Sequence, residues 1–138
     1  MIRRDLTLRH AMRSRLIKAL TENSAQTSED AEDPRLRGRT YMVPFARVWD
    51  EVIEMIRERP RWNLVRANED KGLIGAEATT PVFRFVDDVR LKIRLDANAL
   101  TRVDMWSQSR VGNADLGVNT RRIGKFFRDL DRRLGVDG

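Results

Sequence analysis

Phe83-Arg-Phe-Val-Asp-Asp-Val-Arg-Leu-Lys-Ile-Arg-Leu95 is the stretch that decides the fold. Phe83, Phe85, Val89, Leu91, Ile93 and Leu95 share one parity, and Arg84, Arg90, Lys92 and Arg94 share the other. That period of two marks a long strand with one buried face. Asp87 falls on the apolar parity, which predicts either a bulge near residues 86 to 88 or a buried carboxylate with a basic partner.

Strand signals continue on both sides. Trp62, Leu64 and Val65 open a strand, Glu69-Asp-Lys-Gly72 supplies a hairpin turn, and Ile74, Ala76 and Ala78 alternate inward before Pro81 interrupts. Downstream, Asp96-Ala-Asn98 turns the chain, and Thr101, Val103 and Met105 define a strand that ends at Ser107 to Ser109. Four consecutive strands joined by short turns predict an antiparallel meander.

Helical periods bracket these strands. Tyr41-Met-Val43 reads as a short strand leading into Pro44, which suits the start of a helix. Phe45, Val48, Trp49, Val52, Ile53 and Ile56 then recur at three- and four-residue intervals until Pro60, with Asp50, Glu51, Glu54 and Arg57 on the wet face. Ile123, Phe126, Phe127, Leu130 and Leu134 form a second stripe closed by Gly135. The expectation is an α+β domain: an antiparallel sheet of four to five strands, in the order strand, helix, four strands, helix, with both helices on one face. It occupies residues 36–138.

Two segments precede it. In residues 1–22, Leu8, Met12, Leu16 and Leu20 recur every four residues among six basic side chains, predicting a basic amphipathic helical arm. Residues 23–35 are polar and acidic with almost nothing apolar, and read as a flexible linker. The net charge of +6 is densest in the arm; from residue 38 onward 19 basic side chains face 15 acidic ones. Polyanion binding, to nucleic acid or anionic lipid, is therefore an expectation for the arm.

Composition removes several chemistries. The chain has no cysteine and one histidine, His10 in the arm, so the globular part offers no thiolate and no imidazole for metal binding or acid–base work. No cofactor or metal is expected. No apolar run approaches the roughly 20 residues that span a bilayer, and no apolar core follows the first basic residues, so the reading is a soluble, cytoplasmic protein without a transmembrane segment.

The most distinctive segment is Ser107-Gln-Ser-Arg-Val-Gly-Asn-Ala-Asp-Leu-Gly-Val-Asn119, a strand end, a glycine-bearing loop and a helix start. Arg110, Gly112, Gly117, Arg121 and Arg122 make a candidate anion site, because glycines permit close backbone approach and guanidinium groups pair with phosphate or carboxylate. The alternative is a polar latch between sheet and helix, with Asp115 or Asn119 capping the helix and Arg110 held by Asp87 or Asp115. Trp106 lies on the face away from the helices, a candidate partner face for another protein or a second copy. Asp87 and Asp88 point to opposite sides of their strand, so they do not form a catalytic pair unless a bulge rotates one.

Three segments resemble a bacterial and plant family, that of domain of unknown function 1499: Tyr41-Met-Val-Pro-Phe-Ala-Arg-Val-Trp49, Phe83-Arg-Phe-Val-Asp-Asp-Val89, and the 107–119 segment with Arg122-Ile123 after it. The family form often carries an aromatic where Asn113 stands, and Arg121 with Arg122 is similar to its basic helix start. The resemblance implies a fold and no established activity. The leading expectation is a non-catalytic domain that binds a protein, itself or a small ligand through its open sheet face. Polyanion binding by the arm ranks second, and an enzyme, which would need a pocket joining Asp87, Asp88 and Arg110, ranks third.

Overall fold

The computed structural model describes residues 24–111 and 116–136, so the arm, Gly112 and Asp115 lie outside the described residues. The predicted meander is present: β3 (Trp62–Asn68), β4 (Leu73–Thr79), β5 (Val86–Leu95) and β6 (Thr101–Ser109) pair antiparallel in chain order. Two helices, α1 (Phe45–Glu58) and α2 (Leu116–Arg133), join them in an α+β fold.

The alternation read in the sequence builds the core. Ile74, Ala76 and Ala78, then Val89, Leu91 and Ile93, then Val103 and Met105 are buried in one cluster with Val48, Val52 and Ile56 of α1 and Ile123, Phe126, Phe127 and Leu130 of α2. Arg90, Lys92 and Arg94 project from the opposite side of β5 and are exposed. α1 ends at Pro60 as expected, Arg59 turning extended with φ −74° and ψ 118°. No helix among the described residues is long and apolar enough to cross a membrane.

Three features depart from expectation. First, the sheet has six strands among the described residues. Ser24–Gln26 (β1), within the stretch read as linker, pairs with Gln108, Ser107 and Trp106, while Arg39–Tyr41 (β2) pairs with Val103, Arg102 and Thr101. The two short strands lie end to end along β6. The pairing is carried by backbone hydrogen bonds, which leave no mark in composition; Ala25 is the side chain that β1 adds to the core.

The chain between β1 and β2 leaves the sheet edge and returns. Ser28 N–H donates to the Leu36 carbonyl at 2.7 Å, closing the excursion, and its 3₁₀ turn Pro34–Leu36 rests on α2. A Cβ on Gly124 would stand 2.9 Å from Arg35 Cδ, so this glycine is what lets the turn come close. On the other side of the edge, Arg102 donates to the Arg37 carbonyl and pairs with Asp104 at 2.9 Å, so the excursion also covers part of the sheet face that was expected to be open.

Second, β5 begins at Val86, not Phe83. Thr80 N–H donates to the Phe85 carbonyl at 2.8 Å and Phe85 N–H to Thr80 Oγ1 at 2.9 Å, pinching off residues 81–84 as a loop. Phe83 and Phe85 are therefore exposed and stack on each other with centroids 5.6 Å apart. Leu95, at the far end of the strand, is exposed too. Third, the irregularity in the sheet sits between Leu64 and Arg66 of β3, whereas the register through Asp87 is unbroken. Of the two readings of Asp87, the buried carboxylate holds.

A second polar anchor ties β2 to α2. The buried Tyr41 hydroxyl donates to Asp131 Oδ1 at 2.6 Å, and Arg39 Nε approaches Asp131 Oδ2 at 3.3 Å. Burial, reinforced by the Asp131 carboxylate, pushes the phenol well above its ordinary value.

Candidate anion-binding site

The end of β6 and the first turns of α2 meet over the β5 strand, and a buried polar network fills the junction. Ser107 Oγ donates to Asn119 Oδ1 at 2.7 Å, and Asn119 Nδ2 donates to Ser109 Oγ at 2.9 Å. Arg122 Nη1 donates to Ser107 Oγ at 3.0 Å and to Asn119 Oδ1 at 2.9 Å. Its Nη2 lies 2.8 Å from Asp87 Oδ2, and the Asp87 side chain is 2% exposed. Among the described residues that oxygen is charge-paired yet accepts no well-aligned hydrogen bond, so its place in the interior rests on the guanidinium.

Among the described residues, Arg110 lies apart from Arg121 and Arg122. Arg110 projects on the open side, where its Nη2 pairs with Asp88 Oδ1 at 2.7 Å and with Glu77 Oε1 at 3.1 Å. Its hydrogen bond holds the Asp88 carboxyl below the ordinary carboxylate range. Arg110 is therefore separated from Arg121 and Arg122, and its acidic partners are Asp88 and Glu77 rather than Asp87. Asp87 and Asp88 face opposite sides of the sheet as strand geometry requires, one buried at the helices and the other on the open face. Neither pocket described below joins Asp87, Asp88 and Arg110.

Trp106 sits half-buried on the open face, with the Arg90 guanidinium 5.0 Å from its ring centroid. The two residues are direct cross-strand partners, and stacking a cation on an indole is favourable at such distances. Gly117 lies in the first turn of α2.

A basic depression opens beside the buried network, on the helix side. Its volume is about 380 Å³, and it is walled by the α1–β3 turn, the end of β4 and the exposed flank of α2. Arg59, Arg61, Arg121, Arg122 and Lys125 line it, with Asp129 as the one acidic lining residue among those described. Arg59 is committed: it pairs with Asp129 at 2.6 Å and lies over the rings of Trp62 and Phe126 at 5.4 and 5.2 Å. Arg122 is likewise committed to Asp87. With these two pairs neutralised, Arg61 and Lys125 keep the described lining basic, and Trp62, Ala78 and Pro81 give it apolar walls.

Arg59, Arg61 and Lys125 were missed in the sequence. The local signal for Lys125 exists, since Arg121, Lys125 and Asp129 recur every four residues on one side of α2. Arg59-Pro-Arg61 carries none, because only the sheet brings that turn to α2. Among the described residues no cluster of His, Cys, Asp or Glu is placed to hold a metal ion.

The family model described as protein of unknown function (DUF1499) matches residues 16–130, and the chain belongs to that family. No curated protein matches the chain.

Proposed function

We propose that this chain is a non-catalytic binding domain whose ligand presents an anionic group, phosphate or carboxylate, to the depression between the α1–β3 turn and α2. The observation that carries the reading is the lining itself: among the described residues, five basic side chains against one acidic one in a single concavity. On the open face Arg110 and Arg102 are paired with acidic neighbours and Arg90 is stacked on Trp106. The wall formed by Arg122 supports the site rather than adding net charge, because Asp87 cancels it.

Inorganic phosphate added to the full-length protein should shift the indole N–H resonance of Trp62, which lines the depression, and leave that of Trp106 in place. Hydrogen bonds to ionised groups are worth about 1.5–3 kcal/mol, so Arg61→Glu or Lys125→Glu should each weaken phosphate binding at least about tenfold. Absence of a Trp62 shift, or a shift at Trp106 alone, defeats the reading.

A second reading, self-association through the open sheet face, is favoured by a separate shallow depression of about 500 Å³ around Gly75, where Val65 and Leu73 are exposed. Light scattering across concentration should then find a dimer that Leu73→Glu returns to monomer. A monomer at every concentration removes it.

A further inference from the structure

We infer that the basic depression and the neighbouring loop 81–84 form one docking surface for an anionic lipid bilayer, an inference that rests on reading the depression as an anion site. Pro81 lines the depression, and the chain runs directly from it into Val82 and Phe83, which are 80% and 75% exposed. These two are among the most exposed large apolar side chains of the described residues, and they sit at the tip of a loop whose base is clamped by the two Thr80–Phe85 hydrogen bonds. Phe83 is further held against Phe85 by stacking. The loop thus presents apolar side chains outward in a fixed conformation instead of folding them in, and Arg84 within it, with φ +54°, adds a basic residue.

Apolar tips beside a basic patch match the two layers of an anionic membrane surface: acyl chains for Val82 and Phe83, and headgroup phosphates or carboxylates for Arg61 and Lys125. A soluble anion would use the depression and leave the loop in water. A bilayer uses both, which commits the occupant to a lipid surface.

Each basic side chain near an anionic leaflet strengthens binding about fivefold, and full burial of one Phe strengthens it about tenfold to a hundredfold. The full chain should therefore co-sediment with phosphatidylcholine vesicles containing phosphatidylserine and not with phosphatidylcholine alone. Val82→Ser combined with Phe83→Ser should weaken sedimentation at least about tenfold while leaving the phosphate-induced Trp62 shift intact, since both side chains are exposed and the core is untouched. Arg61→Glu with Lys125→Glu should abolish both readouts. Sedimentation unchanged by the Val82/Phe83 variant assigns lipid binding to another segment, such as the basic arm of residues 1–22, and overturns the inference. So does a Trp62 shift with phosphate but no vesicle binding, which leaves the anion site standing. Vesicle-independent association that the same variant removes would assign the loop to a second copy and also overturn it.

Discussion

Arg122→Met should cost about 3–5 kcal/mol of unfolding free energy, the range for removing one partner of a buried ion pair. Among the described residues the guanidinium is the cation paired with Asp87 Oδ2, and it also donates to Ser107 and Asn119, so its loss strands a carboxylate in the interior. Ser107, Asn119 and Ser109 keep their own hydrogen bonds, which confines the damage to Asp87. Asp87→Leu in the Arg122→Met background should therefore recover most of the loss, because a pair of apolar groups in place of a buried pair is often neutral. Urea denaturation of the two single variants and the double variant measures this as a coupling energy. A single Arg122→Met change costing less than about 1 kcal/mol, or strictly additive variants, would show that the pair does not hold α2 on the sheet.

That pair also marks the limit of what could be read from residues alone. Asp87 on the apolar parity of β5 announced a buried carboxylate or a bulge, and pattern offered no choice between them. The partner was out of reach for a physical reason: Arg122 belongs to a helix whose position over β5 and β6 is set by the packing of Ile123, Phe126 and Phe127, not by anything near Asp87 in sequence. Arg110 looked like a companion of Arg121 and Arg122 because it is close to them along the chain. Its place at the end of β6 instead aims it across the strands at Asp88 and Glu77.

The core faces of β4, β5 and β6 and both helices were legible because burial imposes a period on apolar residues. Parity failed at Phe83 and Phe85, where side-chain spacing continues the strand pattern but two hydrogen bonds between Thr80 and Phe85 close the backbone into a loop. β1 was invisible for the converse reason, its pairing with β6 being a backbone affair in which only Ala25 of the three residues adds to the core. The same non-locality hid the basic depression, which draws Arg59 and Arg61 from one end of the meander to a helix that follows the other end.

Gly72→Ala is expected to be the most damaging single-methyl change in the described sheet. Gly72 closes the β3–β4 hairpin at φ +66°, and a Cβ there would stand 1.9 Å from the Ile93 carbonyl oxygen, a backbone atom of the central strand β5. Nothing flexible can yield. The Ile93 N–H donates to the Gly72 carbonyl at 2.8 Å, so moving the turn away from β5 sacrifices that bond as well. The left-handed conformation alone costs a non-glycine residue about 1–2 kcal/mol, and the collision with the central strand should raise the total to at least about 3 kcal/mol. Gly135 provides the control: it has φ +71° with open space around its Cβ position, so Gly135→Ala should cost only the conformational part. The difference between the two variants in urea midpoint, at equal slope, isolates the clash. Gly72 lies at the end of β4 opposite to Ala78 and Thr79, so the folded fraction of Gly72→Ala should still show the phosphate shift at Trp62. Equal losses for the two alanine variants would mean that β5 gives way at Ile93, and the central strand would not be the rigid spine that positions the depression.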